Sequence, residues 1–229
     1  IGTINLFEAM RITNCKARVL TSATPEEFGD VPQEMIPITE ETRIKPINPY
    51  AASKAAQDMV CITYEASYNM DIVRTRAFNH EGSRRNVHGA IASFAYQIAC
   101  IEAGLQPPVI KVGNLSATRN FTDIRDTVRA YYLAMEKGIS GELYLIGTDQ
   151  VYTMEALLKK LISHSTKKDE IKIEVDPARV RPTELMTFIA DFTKFKKQTN
   201  WEIKYKIDET LEFVLNYWRN EVANNQLRG

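Results

Sequence analysis

The sequence predicts a parallel, layered α/β fold, and three observations lead there. Short apolar runs of strand length alternate with longer stretches of helical period across most of the chain. The breaks between them carry cap and turn residues, with Asn48-Pro49 as a marked helix start. Strand–helix alternation of this kind covers a parallel sheet with helices, whereas hairpins would place strands next to strands.

Taken in order, Ile4, Leu6, Phe7, Met10 and Ile12 form an apolar stripe compatible with a first helix. The chain opens directly inside that pattern, which predicts a fragment of a longer protein. Residues 18–21 (RVLT) read as a short buried strand, and a turn-rich stretch with five prolines between 22 and 49 follows. A helix is expected over 50–68, a strand over 72–76 and a polar loop over 79–89. Next come a helix over 90–103, a strand over 109–112, an extended piece around Phe121 and a helix over 124–137. Residues 143–146 are strand-like and 154–163 helical. The tail is expected to hold a strand at 171–175 and helices near 191–198 and 208–219. The denser Lys/Pro region after Gly147 predicts a division into 1–147 and a smaller lobe over 148–229.

Composition narrows the function classes. Basic and acidic residues both number 29, so the net charge is zero. A sequence-independent nucleic-acid binder needs a basic surplus to displace counterions, so that class is set aside. No run of 18 apolar residues is present to span a bilayer, and no membrane partner is expected. Cys15, Cys61 and Cys100 are odd in number and widely spaced, with no CxxC pair. Buried or half-buried thiols, no metal site and a reducing cytoplasm follow as expectations.

Tyr50 and Lys54 stand four residues apart and share a helix face. A free phenol is a poor base at neutral pH. An ammonium about 4 Å away, at an effective dielectric near 20, favours the phenolate by roughly 4 kcal/mol, enough to make an acid/base group. The spacing alone is weak, because in this composition chance yields ~0.7 such pairs; the alternative is an exposed helix pair. Upstream, directly after a buried strand, lies Ser22-Ala23-Thr24-Pro25-Glu26-Glu27-Phe28-Gly29. Ligands of parallel α/β sheets bind at the carboxyl ends of strands. There a hydroxyl can bond a sugar oxygen and a carboxylate can take a proton from carbon. The alternative is a polar turn, and Glu27 rivals Glu26 only if the turn is offset by one residue. Tyr131, Tyr132, Phe192 and Trp218 read as core.

The order of a strand, a Thr-x-Glu turn and Pro-Tyr-x-x-x-Lys on a helix resembles the extended short-chain dehydrogenase/reductases. The segments RAFNHEGSRR (76–85), VGNLSATRNFTD (112–123) and RPTE (181–184) narrow the likeness. Together they resemble the group of GDP-mannose 4,6-dehydratase and GDP-6-deoxy-4-keto-mannose reductase, from the first helix to Trp218. The resemblance implies the second half of a Rossmann-like parallel sheet with a small α/β C-terminal substrate lobe. Residues 1–147 would be a partial NADP-binding domain with the catalytic residues. Residues 148–229 would be mainly substrate-binding, with segments around 80–122 contributing, and the sugar site would lie in the cleft between them.

The same resemblance implies a catalytic set of Thr24, Glu26, Tyr50 and Lys54. Tyr50 would take the proton from the hexose 4-hydroxyl as the C4 hydride passes to NADP+. Glu26 would remove the C5 proton, made acidic by the new ketone, as water leaves C6, and the hydride would return to C6. Thr24 would hold the 4-oxygen. Tyr50, Lys54, His80 and Arg85 match cofactor-binding positions. Asn79, Asn114, Arg119, Arg181 and Glu184 are candidates for a GDP-linked hexose. Guanidinium forks suit a diphosphate, although Arg119 and Arg181 also fit surface ion pairs. His80 alone would more often be a hydrogen-bonded core histidine.

The sequence holds no G-x-x-G-x-x-G loop to bring backbone amides to a pyrophosphate. In the family that loop precedes the helix where this chain begins. The N-terminal half is therefore expected to be absent, leaving cofactor binding to the whole protein and apolar surface exposed where strands would pair. Arg84-Arg85 resembles a dehydratase loop that reaches a neighbouring subunit, which implies a homo-oligomer. The dehydratase is the leading expectation and the reductase the second. A nucleotide-sugar-binding protein without turnover is the third.

Overall fold

The computed structural model describes residues 1–180 and 186–226. The chain runs through helix α1 (Gly2–Ile12), strand β1 (Val19–Ala23), helix α2 (Pro49–Tyr68), strand β2 (Ile72–Ala77) and strand β3 (His80–Glu81). Helix α3 (Ala90–Glu102), strands β4 (Val109–Val112), β5 (Thr118–Asn120) and β6 (Thr122–Asp123), and helix α4 (Ile124–Lys137) follow. Then come β7 (Leu143–Ile146), β8 (Val151–Thr153), α5 (Met154–Ser163), β9 (Lys172–Val175), β10 (Thr187–Phe188), α6 (Thr193–Thr199) and α7 (Ile207–Gln226).

These elements form two compact units. The first comprises Ile1–Phe78, Asp126–Asp149 and Phe188–Glu202; the second comprises Asn79–Arg125, Gln150–Thr187 and Ile203–Gly229. A single cut near residue 147 therefore does not describe the chain. Strand β7 must return beside β2 to complete its sheet, which brings 126–149 back to the first unit. Phe188–Glu202 also belongs there, because Phe195 packs edge-on against Tyr144 of β7 at 5.8 Å, and Trp201 donates to the Asp126 carbonyl at 3.1 Å.

The first unit is built on a three-stranded sheet in the order β1–β2–β7. Both pairings are parallel, with Val19 opposite Ile72 and Arg74 opposite Leu143. All of β7, and β2 apart from Arg74, is buried, as expected of parallel strands covered on both faces. Helix α2 starts where the Asn48 side chain accepts from the Ala51 N–H and Pro49 occupies its first turn. It ends at Asn69 in the left-handed region (φ 52°). Its buried residues, Ala51, Ala55, Asp58 and Cys61, recur at helical spacing. Phe7 and Met10 of α1 pack on Cys61 and Ile72.

In the second unit, α3, α5 and α7 enclose a core that includes Phe94, Ile98, Leu157, Leu161, Leu211 and Leu215. Strand β5 pairs antiparallel with β8, while β4 with β9 and β3 with β6 are parallel.

The predicted elements are present, with instructive shifts. Helix α7 runs a further two turns past Arg219, because Val222 adds an apolar anchor against Ala99 and Cys100. Within the 79–89 loop, His80 and Glu81 form a strand by pairing with Thr122 and Asp123, a non-local contact that periodicity does not register. Cys15 is exposed, unlike Cys61 and Cys100. Tyr132 is also exposed and bonds Glu136, so it is not a core residue. No helix among the described residues is long and apolar enough to cross a membrane.

Candidate active site

The turn after β1 is shaped by its own residues. Thr24 caps a 3-10 turn over Pro25–Phe28; its hydroxyl accepts from the Glu26 N–H at 3.4 Å, and its own N–H donates to Glu27 Oε1 at 3.1 Å. Gly29 closes the turn at φ 66°, where a Cβ would stand 1.9 Å from the Lys45 carbonyl oxygen. Only glycine meets both demands.

This turn separates two adjacent carboxylates. Glu27 is fully buried and lies 2.9 Å from Arg76, which in turn is 2.6 Å from Asp58 on α2. Arg74 joins the same Asp58 at 3.1 Å, and the Arg76 guanidinium sits over the Phe28 ring. Burial pushes the Glu27 carboxyl above its ordinary value, opposed by Arg76 and by the Thr24 N–H. Glu26 is partly exposed, and its Oε2 accepts from Asn48 Nδ2 at 2.9 Å. Glu27 is thus engaged in the interior, and Glu26 is the more accessible of the two carboxylates.

Tyr50 is the second residue of α2 and is 53% exposed. Lys54 is half-buried, and its ammonium donates to the Ser22 carbonyl at 2.9 Å and to Gln57 Oε1 at 3.1 Å. The end of β1 thus anchors the lysine of the Tyr-x-x-x-Lys pair. Ser22 Oγ is 2.9 Å from the Tyr131 hydroxyl. Burial raises the Tyr131 phenol above its ordinary value; the Ser22 hydrogen bond opposes this and the neighbouring Tyr50 phenol adds to it. Reading Tyr131 as core missed this polar role. No local signal could have found it, since Ser22 and Tyr131 are 109 residues apart.

Thr24, Glu26, Tyr50 and Lys54 all belong to the first unit. The other described positions belong to the second. Asn79 accepts through its carbonyl from the Thr122 N–H at 3.0 Å. His80 is half-buried in β3, and its carbonyl accepts from Arg85 Nη1 at 3.1 Å. The exposed Arg85 also lies 3.6 Å from buried Glu81. Burial lifts the Glu81 carboxyl to about 7, against the pull of Arg85 and the Gly82 N–H. Glu81 was not singled out from the sequence; its burial arises from strand pairing.

Asn114 and Arg119 converge on Met186. Asn114 Nδ2 reaches the Met186 sulfur at 3.6 Å, and Arg119 Nη1 donates to the Met186 carbonyl at 2.9 Å. Asn114 Oδ1 also accepts from the Ser116 N–H and hydroxyl, at 2.9 and 2.7 Å. Arg181 and Glu184 lie outside the described residues. Among the described residues no cluster of three or more His, Cys, Asp or Glu could hold a metal ion.

Residues 1–214 match the family described as GDP-mannose 4,6 dehydratase. The chain is 29% identical to a GDP-6-deoxy-D-mannose reductase of Pseudomonas aeruginosa, over 97% of this chain and 72% of that protein. It is 28% identical to GDP-mannose 4,6 dehydratase 1 of Arabidopsis thaliana, over 93% of this chain and 61% of that protein. The solved structure of RMD from Pseudomonas aeruginosa complexed with NADPH superimposes with a TM-score of 0.89 at 28% identity, covering 96% of this chain and 72% of that one. The chain thus spans most of the reductase and less than two thirds of the plant dehydratase. On the match over residues 1–214, the chain belongs to the GDP-mannose 4,6 dehydratase family, within the extended short-chain dehydrogenase/reductases.

Proposed function

We propose that the protein carrying this chain is an NADP-dependent GDP-mannose 4,6-dehydratase, a lyase that converts GDP-mannose to GDP-4-keto-6-deoxy-mannose and water. The observation that carries this reading is the division of labour between Glu26 and Glu27. A reductase needs only a proton donor and acceptor at O4. A dehydratase needs a second, accessible acid/base group for C5, and partly exposed Glu26 is the carboxylate of the two that can supply it.

Tyr50 takes the 4-hydroxyl proton, supported by the Lys54 ammonium, and Thr24 holds the 4-oxygen. Glu26 takes the C5 proton and passes it to the departing C6 hydroxyl, which leaves as water. When bound, a nicotinamide would supply the hydride acceptor and donor for the transfer from C4 to C6. The proton from O4 is returned at C5, so the sugar loses one water with no net redox change. Exposed Tyr50 and anchored Lys54 fit the nicotinamide-ribose end of a dinucleotide. His80 and Arg85 are assigned to the same cofactor, and NADP is favoured by the NADPH held in the RMD structure. Asn79, Asn114, Arg119, Arg181 and Glu184 are assigned to the GDP-hexose. A cytoplasmic homo-oligomer completes the reading, with the Arg84-Arg85 loop directed to a second subunit.

The reductase is a second reading, favoured by the coverage and superposition of the Pseudomonas aeruginosa enzyme. Incubation with GDP-mannose and catalytic NADP+, followed by mass spectrometry, separates the two. Loss of one water without NADPH accumulation supports the dehydratase. No such loss, with NADPH consumed on a GDP-4-keto-6-deoxy sugar, moves the assignment to the reductase. Inactivity in both assays leaves a binding protein without turnover.

A further inference from the structure

The amide of Asn48 has two ends, and the fold uses both. Its Oδ1 accepts from the Ala51 N–H at 2.8 Å and so caps α2, the helix that carries Tyr50 and Lys54. Its Nδ2 donates to Glu26 Oε2 at 2.9 Å. The cap fixes which end is which: the helix offers N–H groups, so the oxygen must face it and the NH2 must face the carboxylate. This is the one hydrogen bond the Glu26 carboxylate receives among the described residues. The turn holds its backbone, through Thr24 and the Gly29 N–H. The side chain is otherwise free to choose rotamers, which for a glutamate costs roughly 1.5–2 kcal/mol to suppress.

We infer that Asn48 is a positioning residue for Glu26, linking the carboxylate to the same helix start that presents Tyr50. This inference rests on the dehydratase reading. A rigid planar amide spans the two groups, so the proton acceptor for C5 and the phenol for O4 are held in one frame. Substrate binding does not require that link, whereas C5 proton removal does. Its loss therefore falls on kcat and leaves KM nearly unchanged.

Serine at position 48 separates the two roles, because it remains a good helix cap but has no amide to reach Glu26. In the NADP-loaded protein, Asn48→Ser is expected to melt within a few degrees of wild type. Its kcat for water loss from GDP-mannose is expected to fall about 10- to 100-fold, with KM changed less than about threefold. The kinetic isotope effect on C5-deuterated GDP-mannose should rise, as C5 proton removal becomes more rate-limiting. In the Glu26→Gln background, Asn48→Ser should cost little more, since the group it positions is already gone. Asn48→Asp, which also caps but cannot donate as a carboxylate, should repeat the serine result.

Wild-type turnover and isotope effect in Asn48→Ser, or losses that multiply fully with Glu26→Gln, would overturn the inference while leaving the dehydratase reading intact. Absence of water loss in the wild-type protein overturns the dehydratase reading first, and this inference with it.

Discussion

Glu27 and Arg76 meet at 2.9 Å with both side chains out of solvent, joining the turn after β1 to strand β2. Asp58 extends the contact to α2, so one guanidinium ties together a turn, a strand and a helix. Taking these charges out of water is costly, and their worth lies mainly in what removing one would leave behind.

Arg76→Met is therefore expected to lower unfolding free energy by about 3–5 kcal/mol, since it leaves buried Glu27 without its cation and Asp58 with Arg74 alone. Glu27→Gln should cost less, because the amide still accepts from the Thr24 N–H and Arg76 keeps Asp58. Urea unfolding of the two variants checks that order; equal losses would count against it.

Glu81 gives stability a pH dependence with a definite sign. Burial lifts its folded carboxyl to about 7, above the unfolded value near 4.5. The folded state thus binds the proton more tightly, and the contribution is fully present below about pH 4.5. It is lost as pH rises through 7, with a total of about 3 kcal/mol. Glu81→Gln keeps the neutral form at every pH. Melting both proteins from pH 5 to 8 should show the variant gaining on wild type as pH increases; parallel curves would refute the assignment.

On the proposed reading Tyr50 exchanges the proton at O4, and Tyr50→Phe is expected to reduce turnover by about 100- to 10,000-fold. GDP-sugar affinity, read by calorimetry, should stay nearly constant. This holds for the dehydratase and reductase alike.

Glu26→Gln distinguishes the two. It should cripple water loss from GDP-mannose while leaving reduction of a 4-keto-6-deoxy sugar almost untouched. Near-normal dehydration in this variant would remove Glu26 from the mechanism.

Gly29→Ala tests the shape of the turn. The added methyl meets the Lys45 carbonyl and the backbone keeps a positive φ, so a loss of roughly 1–3 kcal/mol or more is expected. A thermal melt reads it directly.

Local features of this protein were legible from the sequence because their causes span only a few residues. The cap at Asn48, Pro49 in the first turn and the buried stripe of α2 place Tyr50 and Lys54 on one helix without reference to the rest of the chain. Strand-like runs next to helical ones likewise announced the parallel sheet, although not its partners. Tertiary structure decided which of two neighbouring glutamates is buried, since Arg76 is 49 residues from Glu27 and reaches it only once β2 lies beside β1. It also decided that Asn48 serves Glu26 as well as its own helix, that Tyr131 bonds Ser22, and that the two units interleave along the chain. Helix caps and periodicity act over about four residues. Burial and hydrogen-bond partners depend on which strands become neighbours, and that is set by the whole chain at once.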